Sequence, residues 1–315
     1  MKNYNVAFSI NRNYLLFCFI TIHSLLHHNK NSFFNIYIQH NNCLSQNDID
    51  IFLNQPPLSS YNNFQVYLLD CSSLEELADI KDGGKWTKEI YFKLFLPNLL
   101  PNVDKVLFLD ADVLITSNIE AFLDKNLGNY IFCGDKFSNR LNVGILLINM
   151  IAARNNNIKE RSINFIKEQF NNNYTDFYKI TEEYAINTIL ADKITYADNI
   201  ITLTSKSSLT KNYSAIHFVG IKPWHLDRRI AAKDIKKIYL NYLNNLRLFA
   251  KNKTSEILIV SLYYYLLYGG YFINSFARRI KNSIYKNIFK MPKYKYLHTG
   301  LTMSFIIKNS ILNNK

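Results

Sequence analysis

The chain has 315 residues, 48% of them hydrophobic and 15% aromatic, with a formal net charge of +13. This apolar content is enough for one large α/β domain plus an appendage, or two small domains, and it excludes a disordered chain. The charge is uneven: residues 201–315 carry 20 Lys/Arg against 3 Asp/Glu, whereas residues 1–200 carry 17 against 21. A basic end on a near-neutral body implies an anionic partner surface, either lipid or nucleic acid.

Val6–Ile10 reads as a first strand and Asn11–Tyr14 as a polar turn. Tyr14 to His28 has the length and pattern of a helix. Lys2 and Arg12 precede its apolar run in the manner of a signal peptide, but no small-x-small cleavage site follows. An amphipathic first helix of a cytosolic domain is therefore expected. Phe34–Ile38 is a second strand. Ser45 is placed to cap a helix that runs to about Asn54 and is stopped by Pro56 and Pro57. Phe64–Leu69 is a third strand, and Asp82–Gly84 is a turn.

Thr87 is placed to cap a helix to about Leu96, before Pro97. Val106–Leu109 is an unbroken apolar strand that ends in Asp110 and Asp112. A helix over Ile119–Leu127 and a strand over Tyr130–Cys133 follow. Leu141–Ile148 is a buried strand with Gly144 inside it. Helical patterns cover Ile158–Phe170 and Glu182–Leu190, and weak strands cover Ile194–Tyr196 and Ile200–Leu203. The succession of strands and helices predicts a mostly parallel α/β sheet. Cys18, Cys43, Cys71 and Cys133 are widely spaced beside apolar runs and read as buried free thiols in a reducing compartment.

The chemistry centres on Asp110 and Asp112. A strand that ends in acid places its carboxylates at the carboxyl edge of the sheet, where open α/β folds bind ligands. Two such carboxylates repel each other unless a hard divalent cation lies between them, which would also hold phosphates. The alternative is a solvated Asp-x-Asp turn. Four other features bear on the choice. Gly144, after Asn142, lets a ligand or backbone come close. Glu182 and Glu183 open a helix, either facing a cleft or complementing its dipole. His217 would complete an oxygen and nitrogen site suited to manganese. Gly220 and Lys222 would meet a phosphate and neutralise a diphosphate leaving group.

These segments carry a resemblance. Ala7 to Leu26, Tyr91–Pro101, Val106–Val113, Asn142–Asn149 and His217–Trp224, in this order over about the first 225 residues, resemble glycosyltransferase family 8. The likeness is to the bacterial lipopolysaccharide α-galactosyl- and α-glucosyltransferases, with glycogenin more distant. It implies a GT-A fold: a Rossmann-like, mixed but mostly parallel sheet flanked by helices. Residues 1–245 would form this domain. It further implies retaining transfer of a hexose from UDP-galactose or UDP-glucose to a glycan or glycolipid acceptor, in lipopolysaccharide, lipooligosaccharide or other surface-glycan synthesis. Under the resemblance, Asp110, Asp112 and His217 would bind Mn²⁺ or Mg²⁺. Asn11, Asn13 and Tyr14 would contact the uridine. Lys93, Ala111, Asp135 and Asn142 would line the donor, and Gly220 and Lys222 would grip the diphosphate. Glu182 and Glu183 would be catalytic at the β-face of the sugar.

The chain departs from the family pattern at five points, one of them Glu182 in place of an aspartate. Asn11 stands in place of the first-strand acid, Lys93 in place of an arginine and Glu183 in place of a glutamine. The histidine motif is one residue shorter than usual. A carboxylate at 183 would act as a nucleophile in double displacement, or only stabilise charge during front-face departure and attack.

Residues 246–315 form the basic end. Ile257–Ala277 is 21 residues without a charge, but Tyr263, Tyr264, Tyr265, Tyr268 and Tyr271 crowd its middle. Tyrosine prefers the membrane interface to its centre, so helical peripheral anchoring on an anionic membrane surface is expected, on the inner face of the cytoplasmic membrane. The segment has no recognisable nucleic-acid motif, so no nucleic-acid partner is expected. Two alternatives to a transferase are a haloacid-dehalogenase-type Mg²⁺-dependent phosphatase using Asp110, and a non-enzymatic membrane-surface adaptor. Leu114 at the fifth motif position argues against the first.

Overall fold

The structure is a computed structural model. It describes residues 1–54, 57–77, 80, 87–171, 177–204, 211–220, 222–223, 238–239 and 241–242. The expected Asp82–Gly84 turn, Trp224 and the whole of 246–315, with its expected membrane segment, lie outside the described residues.

The elements alternate from the start. Strand β1 (Lys2–Ser9) leads through a 3₁₀ turn at Arg12–Tyr14 into helix α1 (Leu15–His28). Strand β2 (Ser32–His40), helix α2 (Gln46–Leu53) and strand β3 (Phe64–Asp70) follow. Ser45 caps α2 through a reciprocal box with Asp48, which satisfies two otherwise unpaired amides. A 3₁₀ helix, Lys88–Phe95, passes into the short helix α3 (Leu96–Leu99). Here the structure departs from the expectation of a stop before Pro97. Proline is tolerated in the first turn of a helix, where its missing N–H would have no partner, and α3 begins around it.

Strand β4 (Lys105–Leu109), strand β5 (Val113–Ile115), helix α4 (Glu120–Leu123), strand β6 (Phe132–Phe137) and strand β7 (Arg140–Asn149) come next. The β6–β7 connection is only Ser138 and Asn139, both at positive φ, a tight hairpin turn whose twist suits the flanking strands. That turn draws β6 further along the chain than the expected Tyr130–Cys133, so β6 includes Asp135. Helices α5 (Met150–Asn155), α6 (Ile158–Asn171) and α7 (Glu182–Ile189) follow, then strands β8 (Ile194–Tyr196), β9 (Ile200–Leu203) and β10 (Ala215–Phe218).

The main sheet has seven strands in the order β3-β2-β1-β4-β7-β6-β8. Only β7 runs against the others, so the sheet is mixed but mostly parallel, as expected. Alternate residues feed opposite cores. Leu107, Leu109, Ile145 and Leu147 face one apolar cluster, with Phe8 and α1. Val106, Phe108, Leu146 and Ile148 face the other, with Phe92, Ile166 and Ile186. The sheet is therefore a middle layer buried on both faces.

Helix α1 corrects one expectation. From Leu15 to Leu26 all residues but Leu16 are buried. The helix is apolar nearly all round because it sits between structural layers rather than on the surface. No helix among the described residues is long and apolar enough to cross a membrane. All four cysteines are free thiols; Cys43 is half-buried and the other three are buried.

A second sheet, ordered β5-β10-β9, stands beside the first. The turn Asp110–Asp112 is where the chain leaves β4 and enters β5. This corner positions the site.

Candidate active site

The corner is pinned from several sides. The Thr21 hydroxyl of α1 bonds the carbonyls of Ala111 at 3.2 Å and Val113 at 2.7 Å. Ser24 accepts from the Ile115 amide at 3.1 Å. The Asp110 amide donates to the Gly144 carbonyl at 2.8 Å, and the Phe218 amide to the Asp112 carbonyl at 3.2 Å. Thr21 and Ser24 had no expected role; their one signal in the sequence is that they are hydroxyls in an otherwise apolar helix.

β10 pairs antiparallel with β5, placing His217 opposite Val113. His217 thereby comes to the acid pair from about a hundred residues away. Its Nε2 lies 3.5 Å from Asp110 Oδ2 and 3.2 Å from Asp112 Oδ1. One ligand atom from each of the three residues falls within a 4.8 Å cluster. Gly144 makes room for the ring. A Cβ at that position would stand 2.2 Å from His217 Cε1, so the close approach expected at Gly144 is made by the chain's own imidazole.

Asn142 decides which imidazole nitrogen carries the proton. Its Oδ1 accepts from the Gly144 amide at 3.1 Å, and its Nδ2 donates to Glu183 at 3.2 Å, which together fix the amide's orientation. The same Oδ1 lies 2.6 Å from His217 Nδ1, so Nδ1 is the donor. In the neutral ring Nε2 then presents a lone pair to the two carboxylates, and Asp112 Oδ1 is buried with no hydrogen-bond partner. Three electron-rich atoms facing one another fit a divalent cation, and an outer hydrogen bond that fixes the ligating tautomer is the usual arrangement at such sites. The residues present therefore fit the metal that the sequence implied.

Lys222 also reaches this point, with its ammonium on Asp112 Oδ2 and the Phe218 carbonyl. Burial opposes ionisation of Asp112, but the adjacent Lys222 ammonium favours it, and the carboxyl is held well below its usual range. Gly220 has φ +78, in the left-handed region that favours glycine. Tyr14, 40% exposed at the entrance to α1, has its phenol raised chiefly by burial. Lys222 acts against that rise, and Asp112 and Asp110 add to it. Asn11 Oδ1 accepts from the Asn13 amide at 3.0 Å, so Asn11 shapes the turn that presents Asn13 and Tyr14.

Lys93 and Glu182 lie inside. Their side chains are 3% and 6% exposed and meet at 2.7 Å, with Lys93 Nζ 3.8 Å from Asp110 Oδ1 and 4.5 Å from the Phe108 ring centre. Burial disfavours the Lys93 charge, but Glu182 and Asp110 more than restore it and raise its pKa. Burial raises Glu182, with Lys93 acting against it. Glu183, on the same first turn of α7, is tied to Asn142, to the Val143 amide at 3.4 Å and to the Tyr178 hydroxyl at 3.2 Å. Tyr178 had no expected role, and no spacing in the sequence marks it. Asp135 accepts from the Thr202 amide at 2.7 Å, joining β6 to β9.

Comparison with known proteins agrees with this geometry. Over 264 residues the chain is 26% identical to the lipopolysaccharide glucosyltransferase WaaO of Escherichia coli, covering 70% of this chain and 72% of that one. It is 24% identical over 258 residues to the lipopolysaccharide 1,3-galactosyltransferase of Salmonella typhimurium, covering 70% and 73%. Among solved structures, an active-site mutant of the galactosyltransferase LgtC aligns with TM-score 0.62 at 17% identity, over 76% of this chain and 95% of that one. The glycosyltransferase GlyE of Streptococcus pneumoniae aligns with TM-score 0.57 at 16% identity, over 80% and 64%. The shared fold is GT-A. Glycosyl transferase family 8 matches residues 5–228, most of the chain, and the protein belongs to that family.

Proposed function

We propose that the protein transfers a hexose from a UDP-sugar to a saccharide acceptor with retention at the anomeric carbon. The observation that carries this reading is the convergence of Asp110, Asp112 and His217 Nε2 on one point, beside Lys222, in a chain of this family. A manganese or magnesium ion held by those three residues would neutralise a diphosphate and improve it as a leaving group. Lys222 adds a positive charge for the diphosphate oxygens, and the left-handed turn at Gly220 offers its backbone amides. The exposed Asn13 and Tyr14, held by the turn that Asn11 shapes, receive the uracil.

The buried Lys93–Glu182 pair supports Asp110 from below. Glu183 stands beside Asn142, where its negative charge stabilises the positive charge that grows on the anomeric carbon as the bond to phosphate lengthens. The relatives named above support galactose or glucose as the sugar and a lipopolysaccharide-type glycan as the acceptor. Membership in a transferase family sets aside the phosphatase reading of Asp110.

A donor screen tests the proposal. Purified protein with Mn²⁺ is offered UDP-galactose, UDP-glucose, their N-acetyl forms and GDP-sugars, and slow release of nucleotide is measured. UDP release from one of the two simple hexose donors is expected. Turnover of GDP-sugars alone would overturn the uridine assignment.

A further inference from the structure

We propose that Tyr178, braced by Arg140, is a positioning residue that sets the orientation of the Glu183 carboxylate. The inference rests on the transferase reading above.

Glu183 is held at both oxygens. Oε2 accepts from Asn142 Nδ2 at 3.2 Å and from the Val143 amide at 3.4 Å. Oε1 accepts from the Tyr178 hydroxyl at 3.2 Å. The last torsion of a glutamate is broad and roughly two-fold, so contacts at one oxygen alone leave the carboxylate free to turn. Tyr178 removes that freedom. Through Asn142, the other oxygen is keyed to the imidazole that faces Asp110 and Asp112. The carboxylate is thus tied, through one amide, to the cluster that would hold the cation.

Tyr178 is itself well placed to act as a fixed donor. Its carbonyl accepts from the Thr181 hydroxyl at 2.7 Å and the Thr181 amide at 3.1 Å, and Thr181 caps α7 through the Tyr184 amide at 3.2 Å. Its ring stands edge-on to Tyr184, with centroids 5.6 Å apart. The Arg140 guanidinium lies 5.1 Å from the ring centre and hydrogen-bonds the side chain. Burial, with Glu183 adding to it, raises the phenol, so the hydroxyl keeps its proton and remains a donor. Tyr178 and Glu183 sit on consecutive elements locked by one cap, so the donor and its acceptor move as a unit.

Tyr178→Phe keeps the ring, its packing and the Arg140 stacking, and removes the hydroxyl with its bonds to Glu183 and Arg140. Turnover of the UDP-sugar identified above should fall about ten- to thirtyfold in kcat, the scale of one lost hydrogen bond to a charged group. Donor KM and Mn²⁺ dependence should not change. Glu183→Gln should lose more, and adding Tyr178→Phe to it should lose little further, because the two residues act through one carboxylate. Wild-type kcat in Tyr178→Phe, or losses that add in full, would overturn the inference. If Glu183→Gln is fully active, the role of Glu183 fails instead. A crystal structure of Tyr178→Phe decides the matter independently of turnover. A turned or doubly oriented Glu183 carboxylate is expected, and an unmoved one would contradict the proposal.

Discussion

A lysine and a glutamate buried side by side are stable only as a pair. Lys93 and Glu182 meet at 2.7 Å with both side chains almost fully enclosed, and Lys93 also faces Asp110. Removing one partner leaves an uncompensated charge in an apolar core. Lys93→Met or Glu182→Leu should therefore destabilise the fold by about 3–5 kcal/mol, while the double replacement recovers most of that loss. Chemical denaturation of the three variants measures it. A double variant as unstable as the sum of the singles would show that the pair is not the relevant unit. Asn142 poses a similar problem at one amide, since its oxygen sets the His217 tautomer and its nitrogen holds Glu183. The residue is 7% exposed, and both ends of its amide are bonded to the protein.

Among the elements, α1 connects the first turn of the fold to the acid corner. Thr21 and Ser24 hold the corner, while His23 on the same helix is 3% exposed, packs edge-on to Tyr242 at 5.0 Å and has an unpartnered Nδ1. Burial, and after it His27, lowers the His23 pKa from 6.5 to about 4. The native chain then excludes a proton that the unfolded chain binds between those two values. Stability is complete above the unfolded pKa and falls as pH drops through the window, by at most about 3 kcal/mol for this residue. Burial lowers His28 and His40 in the same direction. Urea unfolding at about pH 7 and about pH 5 should show His23→Phe losing less stability than the parent on acidification. Equal losses in both proteins would contradict the assignment. β7 is the other element that builds the site, since Gly144 within it admits the His217 ring.

At the scale of the whole molecule, the strands that form the main sheet were legible because burial on both faces leaves unbroken apolar runs such as Val106–Leu109 and Leu141–Ile148. The acid pair and His217 were legible as chemistry, and antiparallel pairing of β10 with β5 is what unites them. Helix α1 was legible as a helix but not as a buried one, because part of its cover, Ala111–Ile115 and Tyr242, comes from distant sequence. The same limit hid Tyr178, whose partners Glu183 and Arg140 meet only once α7 packs along β7. It also concealed the inward turn of Lys93 and Glu182, since a charged residue on a helix reads as solvated until its partner is placed.

A cation on Asp110, Asp112 and His217 should organise the binding of a uridine diphosphate. Calorimetric titration of UDP into the full chain, with Mn²⁺ and with a chelator, tests it most directly. Binding at least about a hundredfold weaker without the cation is expected, with the same loss in Asp112→Asn and an unchanged circular dichroism spectrum. UDP binding of equal strength under chelation, or in Asp112→Asn with Mn²⁺, would contradict it.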